Sequence, residues 1–362
     1  SDADTDYDGS FSNQTETTMR VIGGRLVFDP SASWRSTVAV GQSLDGAEDF
    51  KDGAFSSRFE TLRNSLSWQN DVALGSTGLL TAGVDYQNDT VDSDTAFAMT
   101  SRHNTGVFMQ YQKDTERYGV QSALRYDDNE QFGEQVTGSV TLGVDTVKDQ
   151  RATVFYGTAF KAPTFNDLYY PSWGSPVLEP EESNTVDLGY RVLIPDGRWT
   201  FNVFQTSIDE LIAYDPVAAG PANIDEAQIR GVEVGLAMSY DAWRWSSAAT
   251  LLDTEQKSGA NRGRELPRRP SEALSFNVSR DLGRYGAGMQ ITFNGKTHDD
   301  LANTSLLDRY VVVDLVGHWK MTDNWWLNGK IKNVFDETYE TAAYYRQPGI
   351  GCFVSVSYRK SE

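Results

Sequence analysis

Three sets of residues have types and spacing that could do chemistry. Asp4-Thr5-Asp6-Tyr7-Asp8-Gly9 places carboxylates at every second position ahead of a glycine. Hard cations such as calcium want several oxygens on a sharp turn, and this is how a calcium loop opens. The twelfth position is Thr15 rather than Glu, so it is no EF-hand; a solvated acidic start is the plainer reading. Asp89, Asp92 and Asp94 form a second acidic group that could add ligands from a neighbouring loop. Asp314 and His318 share one face of a predicted strand, which invites an acid-base reading. Four residues of extended chain hold them about 13 Å apart, however, and no nucleophile stands beside them. With only His103, His298, His318 and a single Cys352, neither a zinc site nor a nucleophilic triad has enough parts. No enzyme is expected, and no covalent cofactor.

The elements that carry these residues have a period of two. Tyr285, Ala287, Met289, Ile291 and Phe293 fall on one side of an extended chain, and Gly286, Gly288, Gln290, Thr292 and Asn294 on the other. Similar splits recur throughout, giving about seventeen predicted strands between residues 17 and 358. Short connections such as Asp29-Pro30-Ser31, Pro195-Asp196-Gly197 and Asp281-Leu282-Gly283 carry turn chemistry. Between them lie long ones, at 44–57, 88–103, 161–181, 212–225, 254–268, 296–309 and 336–348. Short and long alternate almost throughout, as the periplasmic turns and extracellular loops of a transmembrane β-barrel do. Trp199, Trp243, Trp245, Trp319, Trp325 and Trp326 cluster at the short-turn ends, where an aromatic girdle would meet headgroups.

Composition agrees. No run approaches the roughly 20 apolar residues of a membrane-spanning helix. Yet aromatic content is 12% with a mean hydropathy of -0.48, because apolar residues are abundant but always interrupted. A net charge of -19 leaves no basic stripe for nucleic acid. The expected fold is therefore all-β: one transmembrane, antiparallel, up-and-down barrel over residues 1–362. The first strand enters from the long-loop end and the strand number is odd, so the chain reads as lacking an N-terminal portion.

Five stretches, taken in order, resemble TonB-dependent outer-membrane receptors. They are Tyr156 to Pro171, Gly174 to Ser183, Ile229-Arg230-Gly231-Val232-Glu233, Leu266-Pro267-Arg268-Arg269-Pro270 and Lys332 to Glu340. Asp127 to Gly133 and Ala227 to Glu233 are most similar to the cobalamin-transporting branch. The resemblance implies a 22-stranded barrel with a plugged lumen, whose plug and first strands are not in this sequence. It implies a bacterial outer-membrane location in contact with lipid, and TonB-driven import through the missing plug. The ligand would be cobalamin, with a ferric siderophore or haem as the alternative and a passive porin-like channel as a further one. It also implies calcium in acidic extracellular loops, at Asp4, Asp6, Asp8, Asp89, Asp92 and Asp94. The expected ligand contacts are loop aromatics: Tyr169, Tyr170, Trp173, Tyr214, Tyr344 and Tyr345, whose plainer role is packing their own loops.

Overall fold

The computed structural model describes residues 2–4, 13–215 and 218–360. The strands of the first half are β1 (Asp2–Asp4), β2 (Asn13–Ser31), β3 (Trp34–Lys51), β4 (Ala54–Ala73), β5 (Leu79–Ser93), β6 (Ser101–Asp114), β7 (Tyr118–Asn129), β8 (Gly133–Val147), β9 (Gln150–Lys161), β10 (Glu181–Ile194) and β11 (Gly197–Asp215). Those of the second half are β12 (Gly220–Tyr240), β13 (Trp243–Gln256), β14 (Glu272–Asp281), β15 (Tyr285–Asn294), β16 (Thr297–His298), β17 (Leu306–Leu307), β18 (Tyr310–Lys320), β19 (Trp325–Lys332), β20 (Glu340–Ala342), β21 (Tyr345–Arg346) and β22 (Gly351–Tyr358). Among the described residues one short α-helix, α1 (Phe165–Tyr169), lies between β9 and β10.

Each long strand pairs antiparallel with the next, in chain order, so that all seventeen predicted strands form one continuous wall. The pairs β16–β17 and β20–β21 are small hairpins set into two of the loops. Among the described residues β2 and β22 do not pair with each other, and both expose apolar side chains: Val21 is 81% and Val354 74% exposed.

Register shows what the alternation is for. Leu142 lies opposite Val154, Val154 opposite Leu188, Leu188 opposite Val203, Val203 opposite Val232, and Val232 opposite Leu251. This unbroken apolar row crosses six strands, and each member remains 41–58% exposed. So many solvent-accessible apolar residues in register make a lipid-facing belt rather than half of a core. Toward the short turns the same outer face carries the girdle: Trp243 stacks on Trp245 at 6.0 Å, Trp199 on Phe201 at 6.1 Å and Tyr285 on Trp319 at 6.3 Å. Trp326 departs from the expectation. It is one residue out of phase with Trp325, so it points inward, its ring 5.3 Å from that of His318.

The inner face is polar and braced across strands. Arg125 binds Asp127 at 2.7 Å and Asp85 at 2.8 Å, Arg151 binds Asp114 at 2.7 Å, and Lys330 binds Asp314 at 2.9 Å. A Cβ on Gly106 would run into the Arg125 guanidinium, and one on Gly119 into that of Arg151. These glycines are therefore the gaps in which long cations lie flat along the wall.

Of the expected long loops one is strand instead, and two are shortened by strand. At 44–57 the chain continues as β3 and β4 to a two-residue turn at Asp52 and Gly53, both with positive φ (53° and 74°). The segments 88–93 and 212–215 likewise extend β5 and β11. The connection between β7 and β8, at 130–132, is short although it lies at the long-loop end. Beyond the membrane a hairpin can keep its ladder with polar residues on both faces, so the alternation that marks the belt disappears there.

Candidate ligand-binding site at the long-loop end

The buried apolar residues gather in and around the loops. Leu168 and Leu266 are fully buried, and Phe165, Leu178, Leu211, Ile224, Leu301 and Leu307 nearly so. A barrel wall has lipid on one side and a lumen on the other, so only its loops can make a conventional core.

The loop between β9 and β10 is anchored first. Thr164 caps α1: its hydroxyl accepts from the Asp167 N–H at 3.1 Å while the Asp167 carboxylate accepts from the Thr164 N–H at 2.9 Å. This fixes Phe165 and Leu168 inward. Arg102, at the start of β6, donates from Nη1 to the carbonyl of Pro163 at 2.9 Å. Its guanidinium lies 5.1 Å from the Phe165 ring centre and 5.6 Å from that of Phe132. Gln131 donates to the Tyr169 hydroxyl at 2.7 Å. One arginine thus ties β6 and the β7–β8 turn to the helix-bearing loop.

On this frame four rings meet. Tyr170 stands edge-on to Phe97 at 6.2 Å and to Trp173 at 6.5 Å, and Phe97 contacts Phe59 of β4 at 5.5 Å. Tyr170 is 40% exposed, so the cluster reaches the surface. The far end of the loop is held by the β11–β12 hairpin. Asn223 Oδ1 accepts from the Glu179 N–H at 2.9 Å, its Nδ2 donates to the Glu210 carbonyl at 2.7 Å, and the Glu181 carboxylate accepts from the Ile212 N–H at 3.1 Å. The remaining loops have comparable anchors. Buried Gln256 donates to the carbonyls of Leu301 at 2.8 Å and Glu265 at 3.1 Å. Buried Asn333 accepts from the Glu337 N–H at 2.8 Å and donates its own N–H to Asp314 at 2.9 Å. Burial pushes the Arg269 guanidinium down, partly offset by the charge of Glu181. The stretches that carry the family resemblance thus contain buried pins: Pro163, Leu168, Leu178, Leu266 and Asn333.

Of the expected ligand contacts, Tyr170 and Trp173 come together, while Tyr169 is turned to Gln131. Tyr214 projects from the end of β11, opposite Pro221 and 51% exposed. Tyr344 and Tyr345 belong to the β20–β21 hairpin, exposed at 68% and 40%. Sequence reading missed Arg102, Phe59, Phe97 and Gln131. Only Phe97, an aromatic within a segment expected to be a loop, carried a usable signal.

Of the expected metal ligands, Asp6 and Asp8 lie outside the described residues, and Asp4 lies in β1 opposite Gln14. Asp89 and Asp92, three residues apart on β5, leave opposite faces of the strand. Asp89 is held by Arg63 at 2.7 and 3.0 Å, whereas Asp92 is exposed and 3.4 Å from Arg58. Asp94 accepts from the Arg58 N–H at 3.0 Å. Among the described residues no three His, Cys, Asp or Glu side chains converge on one point. Asp314 and His318 make no pair: the first is bound by Lys330, and the second lies 3.9 Å from Asp281.

Comparison with known proteins places this geometry. Residues 1–334 match the family model described as TonB dependent receptor-like, beta-barrel. The vitamin B12 transporter BtuB of Photobacterium profundum is 28% identical over 369 residues, 99% of this chain and 60% of the relative. That of Vibrio vulnificus is 29% identical over 380 residues, again 99% and 60%. The chain therefore spans about three-fifths of the length of these curated relatives. Among solved structures, the copper transporter OprC superposes with a TM-score of 0.78 at 16% identity, over 96% of this chain and 66% of that one. The siderophore receptor PiuA from Acinetobacter baumannii gives 0.74 at 17%, over 96% and 64%.

Proposed function

Because the chain belongs to the TonB-dependent receptor-like β-barrel family of the bacterial outer membrane, we propose that it binds a large metal chelate at its long-loop end, for import driven by the TonB complex. The observation that carries this reading is the aromatic cluster of Phe59, Phe97, Tyr170 and Trp173, which reaches the surface while Arg102 pins the loop bearing Tyr170 and Trp173 to β6 and the β7–β8 turn. Preorganised aromatic groups on rigid anchors suit a bulky ligand, because little entropy remains to be lost when it binds. Family membership speaks for a transport receptor rather than an enzyme.

Two chelate classes compete. Cobalamin is supported by the names of the relatives in sequence. A ferric chelate is supported by the edge-on packing of the rings, at 79° and 87°. Rings so inclined to one another share no single broad flat plane, which favours a polar chelate over a planar macrocycle. Several structurally similar barrels are also named as siderophore or iron receptors, although at 11–17% identity they speak for the fold alone. We favour the ferric chelate. Calcium at the acidic start, Asp4, Asp6 and Asp8, belongs to the cobalamin alternative.

Equilibrium binding to the full receptor carrying this chain decides between them, using radiolabelled cyanocobalamin and a ferric catecholate, each with calcium and with a chelator. Saturable catecholate binding that Tyr170→Ala abolishes supports the proposal. Saturable cobalamin binding alone moves the assignment to the corrinoid. If neither binds and a planar bilayer shows a steady open conductance, the receptor reading falls in favour of a passive channel.

A further inference from the structure

On the outer face, toward the short turns, the wall between β6 and β9 is not flat. Val120 lies opposite Leu142, Leu142 opposite Val154, and Val144 opposite Ala152. The small Ala152 among larger neighbours leaves an apolar groove of about 520 Å³, within the roughly 300–1,000 Å³ of ligand pockets. The groove opens into the lipid-facing belt at one end, through Leu142 and Val154 themselves. Its other end reaches the short-turn rim, where Lys113, opposite Val120, and Tyr118, opposite Val144, line it.

That rim carries three cations, Lys113, Arg117 and Lys148, in a chain of net charge -19. The half-buried stem of Lys113 lines the groove, as snorkelling lysines do, leaving the ammonium at the edge. Arg117 is set in a turn that Thr115 makes rigid. The Thr115 N–H donates to the Tyr118 carbonyl at 2.8 Å, and the Thr115 hydroxyl accepts from the Tyr118 N–H at 2.9 Å. The Arg117 guanidinium rests 5.6 Å from the centre of the Tyr118 ring. Lys148 is exposed in the neighbouring β8–β9 turn. Of the carboxylates nearby, Asp114 and Asp145 belong to the inner face, where both bind Arg151, and Glu116 and Asp149 lie in the turns. Among the described residues neither Lys113 nor Arg117 forms an ion pair.

We infer that this groove is a binding site for one phospholipid, with an acyl chain along Leu142, Val144 and Val154 and an anionic headgroup held by Lys113 and Arg117. The occupant follows from the two ends of the groove: an apolar channel continuous with the belt can take only a chain, and two unpaired cations at headgroup level attract a phosphate. The site is independent of the ligand site, which lies at the opposite end of the wall.

Native mass spectrometry of the full receptor, released from nanodiscs of equal phosphatidylglycerol and phosphatidylcholine, tests the inference. One retained lipid per receptor is expected, with phosphatidylglycerol favoured about tenfold or more, as two interfacial cations suggest. Lys113→Gln with Arg117→Gln should abolish that preference while some lipid is still retained. Ala152→Phe, which fills the groove, should expel the lipid of either class. Folding of each variant is checked by the heat-dependent shift of its electrophoretic band; where Ala152→Phe does not fold, the glutamine pair and the wild-type preference decide. Equal retention of the two lipids by the wild type, or a preference unchanged in the folded glutamine variant, overturns the inference.

Discussion

Arg125 on β7 reaches over β6 to donate to Asp85 on β5 at 2.8 Å, and Gly106 on β6 supplies the gap it crosses. The guanidinium also binds its strand-mate Asp127, so a single side chain fastens β7 to β5 across β6 from the inside. The position is only partly exposed, at 33% for the arginine, so bulk solvent screens the pair less than at an open surface. Asp85→Asn should then cost about 1 kcal/mol. Gly106→Ala should cost about 1–3 kcal/mol, because the new methyl displaces a group held by several bonds. A double-mutant cycle in urea titrations of the micelle-bound receptor checks this. The two costs should fall short of additive, since both remove the same bridge; simple additivity would show that Gly106 does not serve Arg125.

The loop at 299–305 carries a pH dependence of known sign. Burial alone would raise the Asp300 pKa, but the N–H groups of Ser305 and Thr304 and the Thr304 hydroxyl outweigh it, and the net shift is downward. A lowered folded pKa means that the contribution to loop order is full above the ordinary carboxylate value of about 3.9 and is lost as pH falls through the lower folded value. Hydrogen exchange at the Thr304 and Ser305 amides should accelerate in that acid window. In Asp300→Ala the same amides should exchange fast at every pH, and an acid response identical to wild type would remove the carboxylate from the account.

Gln256 is the pin between the β13–β14 and β15–β18 loops. It is 1% exposed, and its amide satisfies two carbonyls on separate segments. Gln256→Leu keeps the volume but strands the Leu301 carbonyl, while that of Glu265 keeps its bond from Asn303 Nδ2 at 3.0 Å, at a cost of about 1–3 kcal/mol. Leu266→Ala, beside it and fully buried, should cost about 2–5 kcal/mol through lost burial and the cavity left behind. Proteolysis should cut both variants at 257–271 and 295–309 before any other loop, with the wall strands still protected. General cleavage along the wall would mean that this core supports the barrel rather than the loops.

How much of this was legible in the sequence depends on what each residue faces. Val203 and Val232 could be placed on the lipid side because a strand's side chains alternate and lipid admits only apolar ones. Trp326 was misplaced because tryptophan at a strand end suggested the girdle, although its own parity with Trp325 puts it in the lumen. The hairpin at 44–51 was hidden because Asp45, Glu48 and Asp49 stand above the membrane, where neither face must be apolar. Arg102 and Gln256 could not be read at all. Their partners are carbonyls and rings of distant loops, and a polar residue in a polar stretch carries no periodic mark of the chain path that will bury it.

Arg102 gives the sharpest separation between the two groups of loop aromatics. It holds the Pro163 carbonyl and lies against Phe165 and Phe132, so it fixes the helix that ends at Tyr169 and leads into Tyr170 and Trp173. Tyr344 and Tyr345 lie in the β20–β21 hairpin, which packs near β17, whereas the partners of Arg102 lie in the β7–β8 turn and the β9–β10 loop. If the cluster is the binding surface, Arg102→Ala should weaken chelate binding about tenfold or more by loosening a preorganised loop, while leaving the wall folded. Arg102→Lys should recover little, because an ammonium cannot reproduce the flat guanidinium between two rings. Tyr344→Ala should change affinity less than about twofold if that hairpin lies outside the surface. Isothermal titration of the three variants with the same chelate reads all of these at once. A large loss in Tyr344→Ala with none in Arg102→Ala would move the ligand to the β20–β21 side of the barrel mouth.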